Sequence, residues 1–208
     1  MTINDIKITT LQLMFANYAD DLREQNVDEL TNEEYTKYTV NMDAAINRAL
    51  ARIEAARVLP LKSASLTAAN GTVGDYLTRW SLTTLASDFL AVSRVIHEGN
   101  GYYDSSIPYE LEGDDIVLPN LDSGESYRVL YYRRPTRVVI AGPSSVTIDV
   151  PNYVAEIIPY WVKADLYEED EPSAAVAARN IFEQMLANLT PPDSNGQGGV
   201  KDIYGGAV

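Results

Sequence analysis

Cysteine is absent from this 208-residue chain, and histidine occurs once. No cysteine means no disulfide framework, no thiolate metal site and no cysteine nucleophile. It also fits assembly in a reducing cytoplasm. A serine nucleophile would have only His97 as its base, and no Gly-x-Ser-x-Gly elbow accompanies it. Phosphate-cradling Gly-Lys-Ser/Thr loops, zinc-protease helices, calcium loops and dinucleotide fingerprints are missing as well. No apolar run approaches the roughly 20 residues that span a bilayer. The N-terminal stretch MTINDIKITTLQ lacks the basic and apolar regions of a signal peptide, so a soluble protein not exported by that route is expected. Basic residues are scarce: 16 Lys and Arg face 30 Asp and Glu, a net charge of −14. Proteins grip duplex DNA with Lys and Arg that displace its counterions, which excludes strong non-specific binding by the chain as a whole. An acidic surface suits a passage through which DNA slides, and it equally serves solubility.

What is present reads as a folded protein. Apolar residues make up 46% and charged ones 22%, a globular balance, and the length allows one or two domains. Ile6 to Tyr18 predicts a first helix, although Ile8-Thr9-Thr10 is a β-branched run. Asp20 to Leu30 is polar and predicts a linker. The second helix is clearer. Thr31 with Glu34 three residues on has the form of a capping box. Tyr35, Tyr38, Met42, Ile46, Leu50 and Ile53 then recur at helical spacing. Pro60 ends the pattern. Arg48 and Arg52, four apart, share a helix face.

From Leu61 the period changes. Leu61–Leu66, Phe89–Ile96, Tyr109–Leu111, Ile116–Leu118 and Tyr127–Tyr132 read as strands, with Asn70-Gly71 and Asn100-Gly101 as turns. Tyr76 to Ser87 fits strand or loop. Helical character returns at Pro151, placed as a first-turn residue. Val154, Ile157, Ile158, Trp161, Val162 and Leu166 form an apolar face, and Pro159 within it predicts a kink. Glu168 to Glu171 makes a turn. A last helix from Pro172 carries Ala175, Ala178, Phe182, Met185 and Leu189 on one stripe until Pro191-Pro192. Trp161 and Phe182 are expected to be buried between the last two helices and the Met42–Ile53 helix.

The expected fold is therefore α+β: a discontinuous helical bundle, residues 1–60 and 150–190, with an inserted antiparallel β-rich domain, 61–149. Residues 191–208 read as a flexible C-terminal arm. That arm turns apolar again at Val200, Ile203 and Tyr204, which suits docking on a neighbour; a disordered end is the alternative.

Residues able to carry chemistry are few. Glu110, Glu112, Asp114 and Asp115 lie close together, and paired carboxylates hydrolyse glycosides, but acids beside a glycine turn also make a solvated hairpin tip. Arg133, Arg134 and Arg137 stand out against the acidic background. They suit contact with an acidic partner surface or with passing DNA, or a solvated strand end balancing nearby acids. Tyrosine is abundant, 14 in all. Tyr131 and Tyr132 flank the arginines, where tyrosine serves an interface or simply a strand.

The segments ALARIEAARVLP, ASDFLAVSRVI, IPYELEGDDIVLP, YRVLYYRRP and VPNYVAEIIPYWVKADLYEEDEPSAAVAARNIFEQML follow one another as a helix, a β-rich middle and a helical hairpin. Over nearly the whole chain this layout resembles the head–tail adaptor (connector) proteins of tailed bacteriophages. The resemblance rests on residue texture, with Tyr-Tyr-Arg-x-Pro and Leu-Tyr-Glu-Glu-Asp its most specific parts. Pro159 departs from the pattern. The resemblance implies a structural virion protein and no enzyme. It implies a twelve-fold ring in the virion neck, assembled in the host cytoplasm, with a portal protein on one side and a tail or stopper protein on the other. DNA would pass through without sequence-specific binding. No cofactor, no metal and no membrane partner are implied. Arg133, Arg134, Arg137, Tyr131, Tyr132, Val200, Ile203 and Tyr204 are the candidate partner contacts. The competing expectation is a carbohydrate-active or host-surface-binding virion protein that uses the β-rich domain.

Overall fold

The computed structural model describes residues 1–15, 22, 25–99, 102–104 (backbone only) and 107–189. Helix α1 spans Ile3–Met14 and starts before the expected Ile6. The cause is a capping box at the very N-terminus. The Thr2 hydroxyl accepts from the Asp5 N–H (3.1 Å), and the Asp5 carboxylate accepts from the Thr2 N–H (2.7 Å). The β-branched run is tolerated because Ile8 is buried and the Thr10 hydroxyl donates to the Ile6 carbonyl at 2.8 Å. The expected extension to Tyr18 lies outside the described residues.

Helix α2 spans Glu33–Ala56, and its cap is Asn32 rather than Thr31: the Asn32 side chain accepts from the Glu34 N–H at 2.9 Å. Asparagine outranks threonine at this position, which moves the start by one residue. Tyr35, Met42, Ile46, Leu50 and Ile53 are buried as the spacing predicts, with Ala45 and Ala49 filling between them. Tyr38 is half-buried and donates its hydroxyl to Asp170 (3.1 Å). Arg57 takes the left-handed conformation (φ 55°) that terminates the helix.

The middle of the chain is antiparallel sheet. The strands are β1 Lys62–Leu66, β2 Thr72–Val73, β3 Leu77–Ser81, β4 Phe89–Gly99, β5 Tyr102–Asp104, β6 Glu110–Glu112, β7 Asp115–Pro119 and β8 Ser126–Arg133, with a short helix α3, Leu82–Leu85, after β3. One sheet has the order β1-β8-β4-β5 and the other β2-β3-β7-β6. Their inner faces meet in one apolar cluster containing Leu66, Trp80, Val95, Ile116, Leu118, Tyr127, Val129 and Tyr131. Alternation along β8 sends Tyr127, Val129, Tyr131 and Arg133 inward. Trp80 meets Tyr127 edge to face and donates its indole N–H to the Thr67 carbonyl at 2.9 Å. The strand expected at Phe89–Ile96 forms as β4, but its alternation is broken, because register shifts between Phe89 and Ala91 and between Val92 and Arg94 each move the pleat. The Tyr76–Ser87 stretch resolves into β3 and α3. The Asn100-Gly101 turn lies outside the described residues.

The closing helices are α4 Asn152–Ala155, α5 Ile158–Leu166 and α6 Pro172–Leu189. Pro151 sits one residue before α4 rather than in its first turn. The single kinked helix expected around Pro159 is two helices. Proline cannot donate to the Ala155 carbonyl, and the chain tightens there: Ile157 N–H reaches back three residues to Val154 (3.4 Å), as Tyr160 does to Ile157 (3.2 Å). Proline then occupies the first turn of α5, where its missing donor costs nothing. On α6, Ala175, Ala178, Phe182 and Leu186 are buried, with Leu186 taking the place expected for Met185. Trp161 is half-buried rather than buried; its ring meets Phe182 at 5.0 Å, with Arg179 over it at 5.4 Å. Residues of α1, α2, α4, α5 and α6 share a second apolar cluster, separate from that of the sheets. Arg48 pairs with Asp165 on α5, and Arg52 with Glu183 on α6 (2.7 Å), so the two arginines read as one face hold the closing helices. No described helix is long and apolar enough to cross a membrane.

Candidate functional site

The sequence-derived candidates lie where β8 leaves the sheet and residues 134–150 run back over the helices without regular structure. Tyr131 is core: its hydroxyl donates to Asp88 (3.1 Å), and burial, with that bond and the nearby charge, pushes its pKa up to about 12. Arg133 is buried too. It donates to the Asp149 carboxylate (2.8 Å) and to the Asp149 carbonyl (3.0 Å), so it presents nothing to a partner. Its place was readable, since it stands in phase with Tyr127, Val129 and Tyr131.

The remaining candidates are outward. Tyr132 is half-buried, with the Arg57 guanidinium 5.2 Å over its ring. Arg137 donates to Glu54 (2.6 Å) and to the Asn47 carbonyl (3.2 Å). Arg134, 60% exposed, stands 3.9 Å from Glu54. These contacts join the end of β8 to α2. Val200, Ile203 and Tyr204 lie outside the described residues.

Asp149 anchors the start of the loop. Burial opposes its charge, but the Thr136 N–H and hydroxyl (both 3.0 Å) and Arg133 outweigh that and hold its carboxyl below the ordinary range. A depressed pKa stabilises the fold above the unfolded value, roughly 3.9, and that contribution fades as pH falls toward the folded value. The stability gap between the native chain and Asp149→Asn should therefore be full near neutrality and shrink below about pH 4. Urea midpoints measured across that range check it; a gap independent of pH contradicts it.

The rest of the loop is fastened by residues the sequence did not single out. The Asn47 amide reads both backbone groups of Val138, each at 2.8 Å. Asp43 accepts from the Ala141 N–H at 3.0 Å. Lys7, 5% exposed, stands 2.8 Å from the other Asp43 oxygen at an angle that makes the contact an ion pair without a hydrogen bond. Lys7 also reaches the Ser144 hydroxyl (3.4 Å), which donates to Asp28 (2.8 Å). Ile3 and Asn4 donate their N–H groups to the carbonyls of Val146 (2.9 Å) and Ser144 (2.8 Å). The one available signal was Lys7 and Asp43 standing at positions that helical spacing makes internal.

This clasp holds apolar side chains in water. Val139 is 73% exposed, Ile140 57% and Val146 49%. Beside them opens a cavity of about 330 Å³, walled by Ile3, Val138, Val139, Pro143, Val146 and Ile148. Ala141 at the turn takes φ 55°, a left-handed conformation costly for a residue with a Cβ. The hydrogen bonds above hold it there.

Elsewhere, Glu112 pairs with Arg79 at the β6–β7 hairpin, whose turn uses Gly113 at φ 64°. Glu110 and Glu112 are exposed. His97 on β4 stands 3.1 Å from Glu125. Among the described residues no group of three His, Asp or Glu side chains is placed to hold a metal ion. No protein-family model and no curated protein matches this chain.

Proposed function

We propose that the chain is a head–tail adaptor of a tailed bacteriophage. It would form a twelve-fold ring in the virion neck, between the portal protein and a tail or stopper protein, after assembly in the host cytoplasm. DNA would pass through the ring without sequence-specific contact, and the subunit would carry out no reaction and need no cofactor. In this reading residues 1–60 and 150–190 form one helical domain, 61–149 a β-rich insertion and 191–208 an arm. The observation that carries it is the pairing of the chain's two ends. Helix α2 shares one apolar core with α5 and α6, while both sheets, lying between them in sequence, enclose another. This arrangement supports the layout on which the resemblance rests. The apolar surface at Val139, Ile140 and Val146 supports a protein that docks other proteins.

Self-repulsion among chains of net charge −14 opposes spontaneous ring closure at low salt. The isolated chain is expected to run mostly as a monomer there and to form rings when its portal is added. Native mass spectrometry and electron microscopy, with and without the portal ring, test this. A tight dimer as the only species, or no association with the portal, would sink the reading.

A further inference from the structure

The apolar cavity beside Val139, Ile140 and Val146 is a built surface. Each flank is fixed: Val138 by Asn47, Ala141 by Asp43, Val146 by the Ile3 N–H. Three large apolar side chains left at 49–73% exposure in a loop so thoroughly bonded are held ready for contact. A cavity of about 330 Å³ lies within the range that buries a ligand group or a large side chain.

The chain supplies a matching segment. After α6 ends at Leu189, the ten residues Thr190 to Gly199 carry no large apolar side chain, and then Val200, Ile203 and Tyr204 follow within five positions. Ten extended residues span up to roughly 33–36 Å.

The point where the segment leaves the fold bears on whose cavity it meets. Asp43, Asn47 and Glu54 line one side of α2 and hold the loop. Arg52 is turned roughly 140–180° away around the same helix and holds Glu183 of α6. Leu189 follows Glu183 by six residues, so the segment starts on the side of α2 opposite the cavity. A segment that leaves its own subunit on that side and enters the cavity of another joins copies head to tail, the heterologous contact that closes a ring.

We infer that the cavity walled by Val138, Val139, Val146 and Ile148 is the socket for residues 200–204 of a second copy of this chain. The inference rests on the ring proposed above and names one of its subunit contacts.

The absence of native cysteine makes disulfide trapping unambiguous. Full-length Val139→Cys and Tyr204→Cys proteins are mixed and oxidised, with each oxidised alone as control, and the double variant is oxidised in parallel. The expected result is a mixed dimer well above both controls and a ladder of dimers and higher species from the double variant. Both should disappear when Ile140→Asp is added to the Val139→Cys chain. Ile140 is exposed, so thermal unfolding of that variant should be unchanged. Intramolecular closure of the double variant without a ladder, no adduct above the controls, or a ladder that survives Ile140→Asp would each overturn the inference. Electron microscopy with the portal separates the two claims. Rings formed without the trapped contact leave the adaptor reading standing and discard this socket. A ladder with no portal association keeps the socket and discards the adaptor.

Discussion

Phe182→Ala is expected to destabilise the folded chain by about 3–5 kcal/mol, the range for truncating a fully buried aromatic ring. Phe182 is 0% exposed and lies in the helical core, with Trp161 edge-on at 5.0 Å. Truncation loses the burial of the ring and leaves a cavity. Trp161 is half-buried under Arg179 and borders the void directly, so it can lean inward and close part of it. That relaxation places the expected value at the lower end of the range. Single domains hold only about 5–15 kcal/mol in all, so even the lower end moves the unfolding midpoint well beyond measurement error. The two tryptophans make the experiment local. Trp161 reports the helical core and Trp80 the sheet core. The ties from α2 to Val138, Arg134 and Arg137 couple the two cores, so both signals should shift together in a urea titration followed by fluorescence. A loss below about 1 kcal/mol would show that α5 and α6 do not depend on this ring.

The legible parts of this structure are those where one period runs undisturbed. Met42, Ile46, Leu50 and Ile53 keep helical spacing and are buried. Tyr127, Val129 and Tyr131 keep strand alternation and are buried. Reading failed where a local feature competes with the period. The register shifts in β4 reset its alternation, Pro159 divides the closing helix, and Asp5 fills the capping position that Glu or Gln is expected to take. The candidate site divides in the same way. Arg133, Arg134 and Arg137 were visible as a cluster, yet which of them is buried followed from the alternation that places Tyr131. The clasp was invisible, because its partners are remote along the chain: Asn47 is 91 residues from Val138, and Asp43 is 98 from Ala141. No window short enough to show a period contains both ends.

The Lys7–Asp43 pair should behave as a buried ion pair does, dearer to break than to replace. Lys7→Met keeps the side-chain length and removes the charge, leaving Asp43, at 4% exposure, with the Ala141 N–H as its side chain's remaining partner among the described residues. The expected cost is about 3–5 kcal/mol. Asp43→Leu leaves the Lys7 ammonium buried with, among the described residues, the Ser144 hydroxyl alone at 3.4 Å and frees the Ala141 N–H, so its cost should be similar. The double variant has neither charge, and only the Ala141 N–H is left unbonded, a penalty of about 1–3 kcal/mol. Its loss should therefore be smaller than the sum of the single losses by several kcal/mol, and smaller than either alone. A double-mutant cycle in urea measures this, and additive losses would show that the two charges are not coupled through the contact at 2.8 Å. Hydrogen exchange adds the link to docking. All three variants should accelerate exchange at Ala141, because Asp43→Leu and the double variant remove the acceptor of its N–H and Lys7→Met removes the ion pair that holds that acceptor in place. If the double variant regains stability while the loop stays loose, the pair is kept for the shape of that surface. The same protein should then also lose the Val139–Tyr204 disulfide ladder, although Lys7 and Asp43 touch neither trapped residue.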